Sequence, residues 1–114
     1  MAPTLKASGT NSNVVGTEHY LSNVASAGTY TFHVNKLPMA AGDVIELRIY
    51  TMVLNTTATQ VAYFQRYAGA QPTDDMVAIS VPVSTDLSTT SALVFSLKQT
   101  LGAARTIDWK VISY

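Results

Sequence analysis

The side chains of this chain that could perform acid–base or metal chemistry are few and widely spaced. Its histidines are His19 and His33, and its glutamates are Glu18 and Glu46. A metal centre needs further His, Cys or carboxylate ligands at matched spacing, and a glycosidase needs two opposed carboxylates. Because the sequence pattern places Glu46 on the open face of a strand, neither chemistry is favoured. We predict that the protein is not an enzyme.

Other motifs that carry chemistry support the same prediction. The loop pair Asp74-Asp75 has the ligand type of a calcium site, but adjacent carboxylates rarely point into one site, and a turn-forming role is favoured. The chain has no cysteine, no Gly-x-Ser-x-Gly turn and no glycine-rich phosphate loop. The sequence therefore predicts no catalytic residue, no cofactor and no bound metal.

Aromatic side chains are the better candidates for recognition. Tyr50 shares the Glu46 and Arg48 face of its predicted strand, where an exposed ring can anchor a protein interface or stack on a sugar. Trp109 falls on the same face of its predicted strand as Ile107 and Val111, which predicts a position in the core. Tyr50 and Arg48 are accordingly predicted contact residues.

The composition favours partners other than nucleic acid. Only 12% of the 114 residues are charged and the formal net charge is zero, whereas binding to a nucleic acid backbone needs clustered Lys and Arg. A surface so poor in charge is typical either of a hydroxyl-rich β protein or of a protein whose surface is largely covered by other protein. Both interpretations stay open at this point.

The elements that must position these residues are β-strands. Apolar residues alternate with polar ones through most of the chain, and no helical period of useful length appears. Six strands are clearly indicated, around residues 30–34, 45–54, 60–68, 77–83, 93–98 and 107–112, and residues 18–24 suggest another. Such spacing predicts an all-β fold, an antiparallel sandwich of jelly-roll type.

The first 15 residues are predicted to form a flexible arm ahead of a single sandwich domain spanning residues 16–114. The stretch Ala7-Ser8-Gly9-Thr10-Asn11-Ser12-Asn13 is small and polar, with little to bury. An arm of this kind can order on a neighbouring subunit, so Thr10, Asn11 and Asn13 are predicted interface residues.

The sequence gives no indication of a membrane location or of export. No apolar run is long enough to span a bilayer, and the N-terminal residues lack the apolar segment of a signal peptide. Residues 55–57 match an N-glycosylation acceptor, but without export an ordinary hairpin turn is expected there.

Four segments resemble small β-sandwich virion structural proteins of tailed bacteriophages. They are AGTYTFHV at residues 27–34, MAAGDVIELRIY at 39–50, FSLKQT at 95–100, and WKV at 109–111 after a glycine-containing turn. The resemblance implies a head decoration or cement protein, located in the virion and assembled in the host cytoplasm. It also implies a homo-oligomer, most commonly a trimer, in contact with a viral capsid or tail protein.

Three hypotheses from different classes follow. The first is a structural virion protein that uses Arg48, Tyr50 and the arm residues in its contacts. The second is a carbohydrate- or receptor-binding sandwich of the tail or fibre accessory type, in which exposed tyrosines and loop Asp or Asn residues hold the ligand. The third, a small hydrolase on a β scaffold, ranks last because no nucleophile or acid–base constellation is visible.

Overall fold

The computed structural model describes residues 2–54 and 58–114, and these residues form nine β-strands. The strands are β1 (Thr4–Ser12), β2 (Glu18–Val24), β3 (Gly28–Asn35), β4 (Val44–Thr51), β5 (Gln60–Ala68), β6 (Val77–Ile79), β7 (Val83–Thr85), β8 (Leu93–Leu101) and β9 (Thr106–Ser113). Across these residues, no helix is long and apolar enough to cross a membrane.

The strands form two antiparallel sheets that pack as a sandwich. Sheet A has the order β1-β9-β3-β6, with β7 also pairing with β3, and sheet B has the order β2-β8-β4-β5. The pairs β1·β9, β2·β8, β3·β6 or β7, and β4·β5 are nested in the sequence. Strands near the two ends of the chain therefore pair with each other, and strands near its middle pair with each other.

The core lies between the sheets and follows the predicted alternation on the central strands. In sheet B, Ile45, Leu47 and Ile49 of β4 are buried, and Leu93, Phe95 and Leu97 of β8 lie beside them. Sheet A contributes Tyr30, Phe32, Val34, Ile107 and Val111. Phe32 and Phe95 meet across the layers with ring centroids 5.5 Å apart. Trp109 packs against the same cluster while half-buried, which confirms its predicted place.

The N-terminal segment differs from the flexible arm predicted for residues 1–15. Thr4–Ser12 form β1, which pairs with β9 from Thr4↔Ser113 to Ser12↔Thr106. Gly9 permits this pairing, since a Cβ there would lie 3.1 Å from the Trp109 ring. The polar composition concealed the strand because β1 contributes backbone hydrogen bonds to an open sheet edge and buries little apolar surface.

The segment from Val77 to Val83 also differs from its simplest interpretation. The alternation predicts one strand, but Pro82 cannot donate to the ladder and the segment divides into β6 and β7, both paired with β3. Ser80 bridges the interruption, because its Oγ accepts the Phe32 amide at 2.9 Å. The small residues Ala78 and Ser80 point inward, so the large aliphatic residues face solvent.

The predicted hairpin of β4 and β5 is confirmed by their pairing from Val44↔Ala68 to Thr51↔Gln60. β4 ends at Thr51, before the predicted end near residue 54. The turn expected at residues 55–57 lies outside the described residues.

Candidate interaction surfaces

The sequence-predicted contact residues Arg48 and Tyr50 lie together on the outer face of sheet B. Both are half-buried and come from β4, whose neighbours in the sheet are β8 and β5. Arg48 pairs in register with Ser96 on one side and Phe64 on the other. The predicted alternation of β4 is thus correct, and it places both side chains at the surface.

Glu18, on the edge strand β2, organises this face. Oε2 of Glu18, in β2, accepts hydrogen bonds from the Tyr50 hydroxyl and from Ser96 Oγ, each at 2.6 Å. The Tyr20 hydroxyl lies 3.4 Å from the other carboxylate oxygen. These four residues, Glu18, Tyr20, Tyr50 and Ser96, form what we call the tyrosine–glutamate cluster.

The electrostatics of the cluster keep Glu18 ionised and Tyr50 neutral near neutral pH. Partial burial raises the pKa of Glu18, but the hydrogen bonds from Ser96 and Tyr50 and the charge of Arg48 outweigh it and hold that pKa below its usual value. Burial and the bond to Glu18 raise the pKa of Tyr50 well above its usual value. A permanently ionised carboxylate and a permanently neutral phenol are suited to positioning groups, and poorly suited to transferring protons at neutral pH.

Charges alternate across the rest of this face. Glu18, Lys98, Glu46 and Arg66 stand in one register row across the four strands of sheet B. Arg48 Nη2 donates to Glu46 Oε1 at 2.8 Å, and its guanidinium lies 4.9 Å from the centre of the Phe64 ring. Arg48 Nη1 is buried without a hydrogen-bond partner among the described residues. The face therefore neutralises nearly all of its own charge.

Beside the cluster, the outer face of sheet B is hollowed into a pocket of about 400 Å³. The Tyr20 and Tyr50 rings border it, with centroids 6.1 Å apart and ring planes inclined at 50°. The residues that line this tyrosine pocket are Tyr20, Asn23, Tyr50, Thr59, Ser91 and Val94.

Thr10, a second sequence-predicted contact residue, lies on the other sheet. Its hydroxyl donates to Asp108 Oδ1 at 2.8 Å on the outer face of sheet A, where a groove of about 500 Å³ runs past His33 and Lys110. Partial burial, with the nearby Lys110 charge, lowers the pKa of His33. The predicted contact residues therefore do not form one site, since Thr10 and Tyr50 lie on opposite layers.

Asn11 and Asn13 belong to an internal network that we call the polar junction. Asn13 is only 4% exposed and donates to Gln99 Oε1 at 3.0 Å, and Asn11 donates to Asn13 at 2.7 Å. Arg105 donates from Nε to Asp43 Oδ2 at 2.6 Å, and its backbone amide bonds to Gln99. The side chain of Asn13 thus joins the N-terminal segment to its own sandwich.

Asp43 is the buried charge of the polar junction. Its hydrogen bond from Arg105 lowers its pKa, against the opposing effect of burial. Gly102 has a φ of 93°, and a Cβ at that position would collide with the Asp43 side chain. The turn between β8 and β9 is therefore shaped around this ion pair.

Sheet A also carries an exposed apolar surface, which we call the apolar edge and define as Val77, Ile79 and Val81. Val77 and Ile79 belong to β6, which closes sheet A, and Val81 follows in the segment between β6 and β7. The three residues are 48%, 58% and 58% exposed. The alternation of these residues predicted a strand but did not indicate which of its faces is buried. The signal that indicates the orientation is the small size of Ala78 and Ser80, whose side chains fit the narrow space under the edge.

Among residues 2–54 and 58–114, no three His, Asp or Glu side chains are grouped closely enough to hold a metal ion. Comparisons with protein-family models, with curated proteins and with solved structures found no match. The surfaces described above are therefore the basis for any functional conclusion.

Proposed function

We propose that this chain is a non-enzymatic structural protein that self-assembles on a virus particle, as a capsid decoration or cement protein. The observation that carries the proposal is the apolar edge. Three aliphatic side chains at alternate positions are exposed to water, while the small residues between them, Ala78 and Ser80, are buried. This arrangement costs free energy in an isolated chain and is stabilising once another protein covers it.

Covering the apolar edge would stabilise an assembly of copies. Burying the remaining exposed half of a Val or Ile side chain contributes on the order of 1 kcal/mol, so covering all three contributes a few kcal/mol for each copy. Such an edge can form the apolar centre of an interface whose rim is polar. Repetition of the same contact around a closed ring or over a particle multiplies this stabilisation.

A second copy of this chain is the occupant that the charge supports. The formal net charge is zero, so two copies approach without long-range repulsion. An apolar row on one copy also matches the same row on another. We propose a closed homo-oligomer, with a trimer favoured, and propose that Thr10, on the outer face of sheet A, contacts the particle, which leaves Arg48 and Tyr50 on sheet B available to a further partner.

We infer a jelly-roll topology, which the strand order supports. If β6 and β7 count as one strand interrupted at Pro82, the nested pairs follow the order of an eight-stranded double-sheet jelly roll. That class includes viral capsid domains and lectins, so it agrees with the proposal without fixing it. The resemblance of residues 27–34, 39–50, 95–100 and 109–111 to phage virion proteins supports the capsid role.

The mass of the purified chain in solution, measured by light scattering after size exclusion at several concentrations, tests self-assembly. A stable trimer or other closed oligomer is the expected result. A monomer at every concentration, up to the solubility limit, would contradict self-assembly through the apolar edge.

Placement on a particle needs a separate test. An antibody raised against the purified chain should label the outside of intact virus particles from the sample that carries the coding sequence. Labelling confined to unassembled protein would reject the virion role while leaving the oligomer in place.

A further inference from the structure

The tyrosine pocket on sheet B has the features of a binding site for a small ligand, and the apolar edge plays no part in it. Its volume of about 400 Å³ falls within the range usual for small-molecule sites. Its floor is Val94, which is almost fully buried, and its walls come from β2, β4 and the segments before β5 and β8. Strands hold the two tyrosines, so the aromatic part of the site is rigid.

The two tyrosines form an aromatic corner. Tyr20 is 63% exposed, and its ring meets that of Tyr50 at 50°. The Tyr50 hydroxyl is held by Glu18 at 2.6 Å, which fixes the ring and leaves its body beside the pocket. An aromatic face carries partial negative charge, so it attracts the weakly positive C–H groups on the apolar face of a sugar ring.

The remaining walls offer hydrogen bonds that the chain does not use. The side chains of Asn23, Thr59 and Ser91 line the pocket and make no hydrogen bond to another residue within the described ranges. Together an amide and two hydroxyls can both donate and accept, which matches a ligand that carries several hydroxyl groups.

The pocket lining excludes charge as the basis of recognition. None of the six lining residues is charged, and the Glu18 carboxylate, which is bonded to Tyr50 of the pocket wall, also accepts a bond from Ser96. A charged ligand would lose hydration without gaining an opposite charge in the pocket. A neutral ligand with one apolar face and several hydroxyls meets each of these conditions.

We propose that the tyrosine pocket binds a neutral pyranose sugar. The apolar face of the sugar stacks on Tyr20 in the corner closed by Tyr50, and its hydroxyls bond to Asn23, Thr59 and Ser91. The site is independent of the apolar edge, because it lies on the other sheet. A structural protein with such a site can attach its assembly to a glycan surface, where many copies multiply a modest affinity.

Protein-observed NMR of the ¹⁵N-labelled chain tests this proposal. The probes are the methyl pyranosides of glucose, galactose, mannose and N-acetylglucosamine, each titrated into the millimolar range. At least one should shift the amide signals of Asn23, Ser91 and Val94 in a saturable manner. The Trp109 indole, on sheet A, should not respond and serves as an internal reference.

Two variants separate stacking from general surface effects. Tyr20→Ala should weaken binding by about tenfold or more, because it removes the exposed stacking face. Tyr114→Ala, which removes another exposed tyrosine at the end of sheet A, should leave the affinity unchanged. Both variants should keep the oligomeric mass of the unmodified chain, so failure here is distinguishable from failure of the assembly proposal.

Three results would overturn the pyranose assignment. The first is the absence of a saturable shift in the pocket with every probe. The second is equal affinity of Tyr20→Ala and the unmodified chain. The third is tighter binding of methyl glucuronide than of methyl glucoside, which would show that charge governs recognition.

Discussion

The outer face of sheet B and the apolar edge of sheet A differ in where their groups find partners. On sheet B, Glu18 receives two short hydroxyl bonds, and Arg48 pairs with Glu46. On the edge of sheet A, Val77, Ile79 and Val81 face outward without cover. The charged groups of the first surface are nearly all paired within one chain, whereas the second surface becomes favourable only when another molecule covers it.

This difference assigns different roles to features that resemble each other in sequence. β4 and the segment from Val77 to Val81 both alternate large apolar residues with others, yet β4 buries its large residues and the other segment exposes them. The contrast teaches that alternation reveals a strand but not which of its faces is inward. We expect the buried residues of β4 to determine the stability of the chain, and the exposed residues of the apolar edge to determine its assembly.

A charged substitution in the apolar edge should have the greatest effect, which is a loss of assembly. Ile79→Lys places a charge in the centre of the apolar edge, where covering it would require desolvating an ammonium group. We expect the oligomer to dissociate completely to monomer, with an unchanged unfolding midpoint for the isolated chain. Light scattering and thermal unfolding measure the two quantities.

The matched control for this prediction is Val61→Lys, because Val61 is 50% exposed on β5, at the edge of sheet B. That variant should keep the oligomer. Loss of assembly in both variants, or in neither, would contradict the role given to the apolar edge.

The next effect in size is a loss of stability when the buried ion pair between Arg105 and Asp43 is broken. Arg105→Ala leaves the Asp43 carboxylate, which is 1% exposed, without its ion-pair partner. We expect the free energy of unfolding to fall by about 3 kcal/mol, as for other buried carboxylates that lose their cation. Urea denaturation at fixed protein concentration measures it.

Arg66→Ala provides the comparison, because Arg66 is exposed on β5 and stands beside Glu46 in the outer row of sheet B. Its effect should stay below about 1 kcal/mol, as is usual for surface ion pairs. Equal effects of the two variants would show that the polar junction is less important for stability than its burial indicates.

A smaller effect is expected in the tyrosine–glutamate cluster. Glu18→Ala removes the acceptor of two hydroxyls, one of them on the fully buried Ser96, so we expect a loss of about 2 kcal/mol. Glu18→Gln keeps an acceptor oxygen and should lose less. The oligomeric mass should not change in either variant, which is the reverse of the result expected for Ile79→Lys.

The smallest effect is the pH dependence that these carboxylates produce. The folded-state pKa values of Asp43 and Glu18 lie below their unfolded values of 3.8 and 4.5. The stability that they contribute is therefore fully present above about pH 5 and is lost as the pH falls through the folded pKa values. Denaturation curves from pH 7 to pH 2 should show this loss, and Glu18→Gln should reduce it. An equal acid response in Glu18→Gln would exclude Glu18 as a source.

The sequence predicted the local structure of the central strands better than their partners. Ile45, Leu47 and Ile49 on β4 and Leu93, Phe95 and Leu97 on β8 are buried as their periodicity indicates. β1 escaped prediction because its stability comes from pairing with β9, about a hundred residues away along the chain. Pairing of that kind leaves no signal in a short polar segment.

The candidate surfaces were predictable in part for the same reason. The alternation of β4 located Arg48 and Tyr50 on an outer face, and both lie there. It could not identify Glu18 or Ser96 as their neighbours, because the order β2-β8-β4 joins strands that are distant in the sequence. The apolar edge was hidden since Val77 and Ile79 have the residue types of a core strand.

Amide hydrogen–deuterium exchange, followed by mass spectrometry at low and high protein concentration, tests directly whether a second copy of the chain covers the apolar edge. If a second copy covers the apolar edge, exchange across residues 77–81 slows as concentration rises, while Gln60–Ala68, the exposed edge strand of sheet B, exchanges at a constant rate. Exchange that slows in Gln60–Ala68 but not in residues 77–81, or that never depends on concentration, would contradict the account.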